Sequence, residues 1–254
     1  MLSAVYEGVA IPLYWTTLPH KGNSTSQLRI DLVKRFTAQF GIERIDGILG
    51  DREFIGAQWL AWLNESNIPF VIRGKANQLS TNARGQEVEV SALFYDVKRH
   101  DIKGIDGKRK VSGVEVYLSG TRDKNGELLF VMSNCDDVEA LVPIYGMRWE
   151  IENLFQALKG RGFNFEDTHL TDQTKIEKMV ALLTIGIVWA HKAGEYKDAK
   201  IKVIKRKTHG RLQYSYFRYG LDMIAHAYQK LKISVKDFRL CLRIMQKPIE
   251  ELIT

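Results

Sequence analysis

The chain has 254 residues, 45% hydrophobic and 26% charged, which is enough apolar material for a sizeable core and excludes a disordered or fibrous polypeptide. A formal charge of +7 and a pI near 9.3 favour anionic partners, nucleic acid first and an acidic membrane surface second. Cys135 and Cys241 stand far apart and form neither a disulfide framework nor a zinc-ligand pattern, which points to a reducing compartment such as the cytoplasm.

The N-terminal MLSAVYEGVAIPLYW lacks a positive leader and a small-residue cleavage site, so it is not a signal peptide. Its two β-branched and aromatic runs, separated by Glu7-Gly8, predict a hairpin. In GNSTSQLRIDLVKRFTAQFG, Leu28, Leu32, Phe36 and Phe40 recur near helical spacing, with a Ser/Thr cluster to start the helix and Gly41 to end it. RIDGILGD reads as a short apolar strand ending in Gly50-Asp51, FIGAQWLAWLNESN as a helix and IPFVIRGKAN as another strand. From Gln78 to Ser133 the texture changes to short alternating runs, EVEVSALFYDV, KVSGVEVYLSG and LLFVMSN, broken at Asp106-Gly107 and Asn125-Gly126. These predict a β-rich insertion. The remainder reads as helical. The apolar run Met179–Ala190 is too short to cross a bilayer comfortably and reads as a buried helix, and lysine and arginine crowd the segment from Lys197 through Arg218. The chain shows no internal repeat and no low-complexity tract.

The stretch IYGMRWEIENLFQALKGRG, residues 144 to 162, places Tyr145, Arg148, Glu152 and Lys159 in an otherwise apolar segment. On one continuous helix they fall at roughly 0°, −60°, −20° and −40°, a single face, with Ile151, Leu154 and Leu158 roughly opposite. Glu150 lies about 160° from Glu152, so only Glu152 joins the cluster. Arg148 and Glu152 are also an ordinary i,i+4 pair, worth about 0.2 to 0.5 kcal/mol on a solvated helix.

Asp51 stands where an apolar strand gives way to a helix, a position that suits an N-cap aspartate and equally a side chain displayed to a crevice. An acid at a strand end with another on a later helix is how a two-metal phosphoryl-transfer site is assembled, several carboxylates converging on ions about 3.5 to 4 Å apart. The six histidines are scattered, and neither a Walker-type glycine loop nor a Gly-x-Ser-x-Gly elbow is present. Asp136 and Asp137 precede a helix and suit caps. The aromatic and basic KRKTHGRLQYSYFRYG can lie on a phosphate backbone or form a solvated face over buried aromatics.

The Tyr145, Arg148, Glu152, Lys159 spacing resembles the Y-x2-R-x3-E-x6-K signature of DDE transposases of the insertion-sequence-four family. GDREFIGAQWLAWL looks like that family's second-aspartate segment, GRGFNFEDTHLTD like its post-helix motif and HGRLQYSYFRYGLD like its C-terminal tail, so the likeness runs over most of the chain. The resemblance implies an α/β fold with a ribonuclease-H-like mixed sheet interrupted by the β-rich insertion. The expected organisation is a catalytic core over residues 1–77 and 136–195, the insertion over 78–135 and a basic helical region over 196–254. It further implies action on double-stranded DNA at transposon ends, with Mg2+ or Mn2+, as a homodimer in a synaptic complex and without membrane involvement. Metal-activated water and then a 3′-hydroxyl attack the phosphodiester in line in such enzymes. Asp51 and Glu152 would be the second and third metal-binding acids. Tyr145, Arg148 and Lys159 would hold phosphates near the scissile bond, a role their donor chemistry permits. Arg73, Lys75 and Arg211 are further cations assigned to DNA contact. The family's base-flipping tryptophan has no counterpart, since no tryptophan lies in the insertion.

A DDE site also needs a first aspartate on the first strand. Asp31 falls in the amphipathic helix, and Asp46 is roughly 16 Å from Asp51 along a strand, so neither is suited to share a metal pair with it. The first acid and its central strand are therefore expected upstream of Met1, leaving the hairpin detached and sheet edges exposed. On that expectation the chain is a transposase by descent, defective by itself. The alternative is a noncatalytic DNA-binding or dimerising remnant that interferes with an intact transposase.

Overall fold

The computed structural model describes residues 1–18, 22–160, 162–208 and 210–253; Arg161 and His209, which belong to the post-helix and C-terminal motifs above, lie outside the described residues. In chain order the elements are β1 (Leu2–Tyr6), β2 (Val9–Tyr14), α1 (Ser26–Phe40), β3 (Ile48–Gly50), α2 (Ala57–Glu65), β4 (Phe70–Arg73), β5 (Leu79–Thr81), β6 (Glu87–Glu89), α3 (Val90–Leu93), β7 (Ile102–Val111), β8 (Val114–Arg122), β9 (Leu128–Ser133), α4 (Val138–Gly146), α5 (Trp149–Leu158), α6 (Gln173–Lys200), α7 (Tyr216–Gln229), α8 (Lys236–Gln246) and α9 (Glu250–Ile253). They fall into two compact units, Met1–Leu2 with His20–Trp149, and Ser3–Pro19 with Glu150–Thr254. None of the described helices is long and apolar enough to cross a membrane.

In the first unit, seven strands among the described residues form one mixed sheet in the order β3-β4-β9-β8-β7-β5-β6. The β3–β4 pair is parallel, with Ile48 opposite Phe70 and Gly50 opposite Ile72; α2 supplies the crossover. The other pairings are antiparallel, beginning with Ile72 against Met132 between β4 and β9. The mixed α/β architecture is consistent with a ribonuclease-H-like domain. The strands of the 78–133 stretch extend this sheet through β9 and do not make one of their own.

Period-two alternation assigns the two sheet faces. Phe70, Ile72, Phe130 and Met132 point toward Ile30 and Val33 of α1 and Trp59, Leu60 and Leu63 of α2. Val71 and Val131 point the other way and pack with Leu141 and Tyr145 of α4. Gly74 admits the Phe130 ring, which a β-carbon there would meet at 1.9 Å.

Helix boundaries follow local chemistry. Thr25 caps α1 by accepting the Leu28 N–H, and Gly41, at φ 88°, ends it. Asp137 caps α4 through the Ala140 N–H at 3.3 Å. One expectation is corrected: EVEVSALFYDV is not a single strand. It runs Glu87–Glu89 as β6 and then turns into the short helix α3, with Val90 and Phe94, four residues apart, both fully buried.

In the second unit the hairpin turns at Glu7 and Gly8, both left-handed at φ 43° and 78°, and β1 and β2 make a two-stranded sheet. Glu177 of α6 accepts from the Thr17 N–H and hydroxyl at 3.0 and 3.1 Å. The 28-residue α6 is the spine of this unit. Trp189 donates its indole N–H to the Cys241 carbonyl of α8 at 2.8 Å, and α7 crosses α6 at Gly194 and Gly220.

Candidate functional site

Asp51 follows β3 directly, at the carboxyl end of the parallel β3–β4 pair, the end at which open α/β sheets display side chains. Its Oδ1 accepts the Arg52 N–H at 2.7 Å and so caps a short 3-10 turn, Arg52–Phe54. The capping use of this aspartate is therefore real. The same oxygen also accepts the Tyr145 hydroxyl at 3.3 Å, and Oδ2 lies 3.9 Å from Arg148 Nη1.

Tyr145 reaches Asp51 because its ring is fixed in the apolar cluster of Val71, Val131 and Leu141, with only 6% of the residue exposed. The Arg148 guanidinium stands 5.5 Å from the centre of that ring. Burial raises the Tyr145 phenol above its ordinary value of 10.0; the Arg148 and Arg73 charges oppose the rise and the Asp51 charge adds to it. Tyr145 therefore remains a donor at neutral pH.

An open cavity of about 1110 Å³ in the same unit is lined by Arg52, Arg73, Lys75, Asn77 and Gln78, among others, with Glu53 and Glu127 as its acids. Arg73 ends β4, and Lys75 donates its backbone N–H to Gln78 Oε1 at 3.4 Å. The structure thus brings together two sequence-assigned cations, Arg73 and Lys75. It adds Arg52 and Asn77, which sequence reasoning missed. Arg52 had a signal, its place next to Asp51 in GDREF; Asn77 had none.

The single-face reading of residues 144 to 162 needs correction. The segment is two helices, α4 ending at Gly146 and α5 beginning at Trp149. Met147 and Arg148 bond their N–H groups three residues back, to Ile144 and Tyr145, so no uninterrupted α-helix carries all four residues. Glycine, the weakest helix former after proline, sits at the break. Tyr145 closes α4, Arg148 lies in the turn, Glu152 is half-buried in the first turn of α5, and Lys159 follows α5. Glu152 and Lys159 belong to the second unit, where Lys159 pairs with Glu166 at 2.7 Å. Arg211, also in that unit, is exposed in a basic loop.

A pair of divalent ions requires several convergent carboxylates. Among the described residues no group of three or more His, Cys, Asp or Glu side chains could hold an ion. Around Asp51 the first unit supplies a phenol and a guanidinium, donors that suit a phosphate oxygen. The described residues do not by themselves make up a two-ion donor set. Asp31, weighed as a substitute acid, is exposed and accepts from Gln27 at 2.7 Å.

A carboxylate, a buried phenol and a guanidinium thus meet at the carboxyl end of a parallel strand pair, in the unit that also holds the cation-lined cavity. The sequence model of the family described as transposase DDE domain matches residues 5–189, most of the chain, and the chain belongs to that family. No curated protein matches it.

Proposed function

We propose that the chain is the transposase of an insertion sequence of the insertion-sequence-four type, cutting DNA at the element's ends and joining them to a target. DDE transposases use divalent metals, and on this reading Asp51 and Glu152 are the carboxylates that hold Mg2+ or Mn2+. Tyr145, Arg148 and Lys159 hold phosphates flanking the scissile bond, and Arg73, Lys75 and Arg211 contact DNA. The observation that carries the reading is the Asp51, Tyr145 and Arg148 constellation in a chain of this family. Its division into core (1–77 and 136–195), insertion (78–135) and basic C-terminal region (196–254), its work as a homodimer in a synaptic complex and its action in the cytoplasm on the nucleoid belong to the same proposal.

The alternative reading is a noncatalytic form that binds DNA and competes with an intact transposase. A site holding two of three metal-binding acids would bind metal more weakly and misplace the nucleophile, at a cost of orders of magnitude in rate. Incubating the purified chain with a duplex carrying the ends of its own element, in Mg2+ or Mn2+, separates the two. Cleavage that disappears in Asp51→Ala and Glu152→Ala but survives in Glu150→Ala supports the transposase. End binding without cleavage, together with inhibition of an intact transposase, supports the competitor. Absence of end-specific binding removes both.

A further inference from the structure

Between Lys197 and Arg218 the sequence carries eight lysines and arginines and a single acid, Asp198, a net of +7. The whole chain also has a formal charge of +7, so the remaining residues balance to zero. The charge excess of this protein is therefore local to one segment of the second unit, the end of α6, the loop after it and the start of α7.

Arg218 is paired with Asp222 at 3.0 Å, and the fold displays cations over the stretch from Lys200 to Arg211. Asp198 faces inward: its Oδ1 accepts the Ile204 N–H at 2.5 Å and its Oδ2 the Tyr216 hydroxyl at 3.4 Å. Ile204, 3% exposed, anchors the loop from below. Lys200, Lys202, Lys205, Arg206, Lys207 and Arg211 are all exposed.

The display is held by hydrogen bonds. The described residues between Lys205 and Gln213 are tied into a small hairpin by Gln213 N–H to Lys205 O, Lys207 N–H to Arg211 O and Gly210 N–H to Lys207 O, each at 2.8 Å. The Arg206 guanidinium donates to the Gly210 carbonyl at 3.1 Å. Tyr219 donates to the Lys202 carbonyl at 2.9 Å, carries Lys197 Nζ 3.8 Å from its ring centre and lies parallel to Tyr214. The backbone that carries these cations is thus ordered before it meets a row of phosphates.

We propose that this hairpin is a sequence-independent clamp on the phosphate backbone of duplex DNA, separate from the Asp51 site. The choice of DNA rests on the transposase reading. The charge also suits an anionic membrane, and Ile201 and Val203 are exposed beside it at 56% and 75%. Insertion into a membrane surface uses a helix with a continuous apolar face, and the described residues of 201–215 form no helix; purely electrostatic attachment to anionic lipid is left to the vesicle arm of the test.

The test measures affinity of the full chain for an arbitrary-sequence duplex across a salt series. Lys205→Gln, Arg206→Gln and Lys207→Gln are combined, and the control combines Lys232→Gln, Lys236→Gln and Arg239→Gln, exposed cations outside the segment. Each lost phosphate contact reduces the log–log salt slope by about 0.9, so the hairpin variant loses about 2.7 of slope, and its fall in affinity between about 50 and 200 mM salt shrinks by about 40-fold. The control variant keeps the parent slope, and both variants keep the parent's circular dichroism and melting temperature. Equal slope losses in the two variants, an unchanged slope in the hairpin variant, or parent binding to phosphatidylserine vesicles but not to duplex would each overturn the clamp. A hairpin-dependent slope with no Arg148-dependent preference for cleaved ends leaves the clamp and removes the transposase reading. The converse result removes the clamp alone.

Discussion

Replacing Gly220 with alanine sets two known effects against each other. Inside α7, alanine is favoured over glycine by about 1 kcal/mol. The new methyl, however, would lie 1.8 Å from the Ala190 carbonyl oxygen and 2.4 Å from the Gly194 nitrogen, whereas Gly194 in turn brings its α-carbon against the Tyr216 backbone. Carbon contacts become comfortable only near about 3.5 Å, so the helices must part by more than an ångström. Both faces of the contact are backbone, and no rotamer change relieves it. The overpacking cost falls at the upper end of the usual range, about 3 kcal/mol, for a net loss of about 2 kcal/mol. At about 2 to 4 °C per kcal/mol for a chain of this size, the second unit should melt about 4 to 8 °C lower by calorimetry. Gly146→Ala is the matched control. That glycine ends α4, is exposed and would have nothing within 4 Å of an added methyl, so alanine there should stabilise the first unit by up to about 1 kcal/mol. A Gly220→Ala protein that melts at or above the parent would refute the close crossing.

Arg148→Ala should weaken binding to a cleaved transposon end more than to plain duplex, because its proposed partner is one specific phosphate; equal losses in a competition titration would reduce it to a general cation. Tyr145 and Tyr216 both have phenols raised above 10.0, chiefly by burial, so their contribution to stability is full below pH 10.0 and is lost as pH rises from there through the folded values. Chemical denaturation at about pH 9 and about pH 11 should show that loss, and Tyr145→Phe should lessen it; an unchanged pH dependence would argue against the buried phenol. Leu60→Ala, at a fully buried position between α2 and the sheet, should cost about 2 to 5 kcal/mol in denaturant unfolding, and a cost below about 1 kcal/mol would contradict the packing of that face.

Features governed by a few neighbouring residues were legible in the sequence. Glu7-Gly8 makes its turn, Thr25 and Gly41 bound α1, Asp137 caps α4, and Asp51 follows its strand, because turn geometry and caps are settled within about one helical turn of the residues that make them. The Tyr-Arg-Glu-Lys spacing also pointed to a DDE transposase, the family to which the chain belongs, although its single-helix geometry failed where two N–H groups bonded three residues back. Only the tertiary structure decided which strands pair and which side chains meet. Nothing local to Met132 indicates Ile72 as its partner, and nothing local to Tyr145 indicates Asp51, 94 residues away. Those choices depend on burying both sheet faces at once. The same is true of the basic segment: its lysines and arginines could be counted in the sequence, but only the fold turns Asp198 inward and displays the cations from Lys200 to Arg211 on the surface.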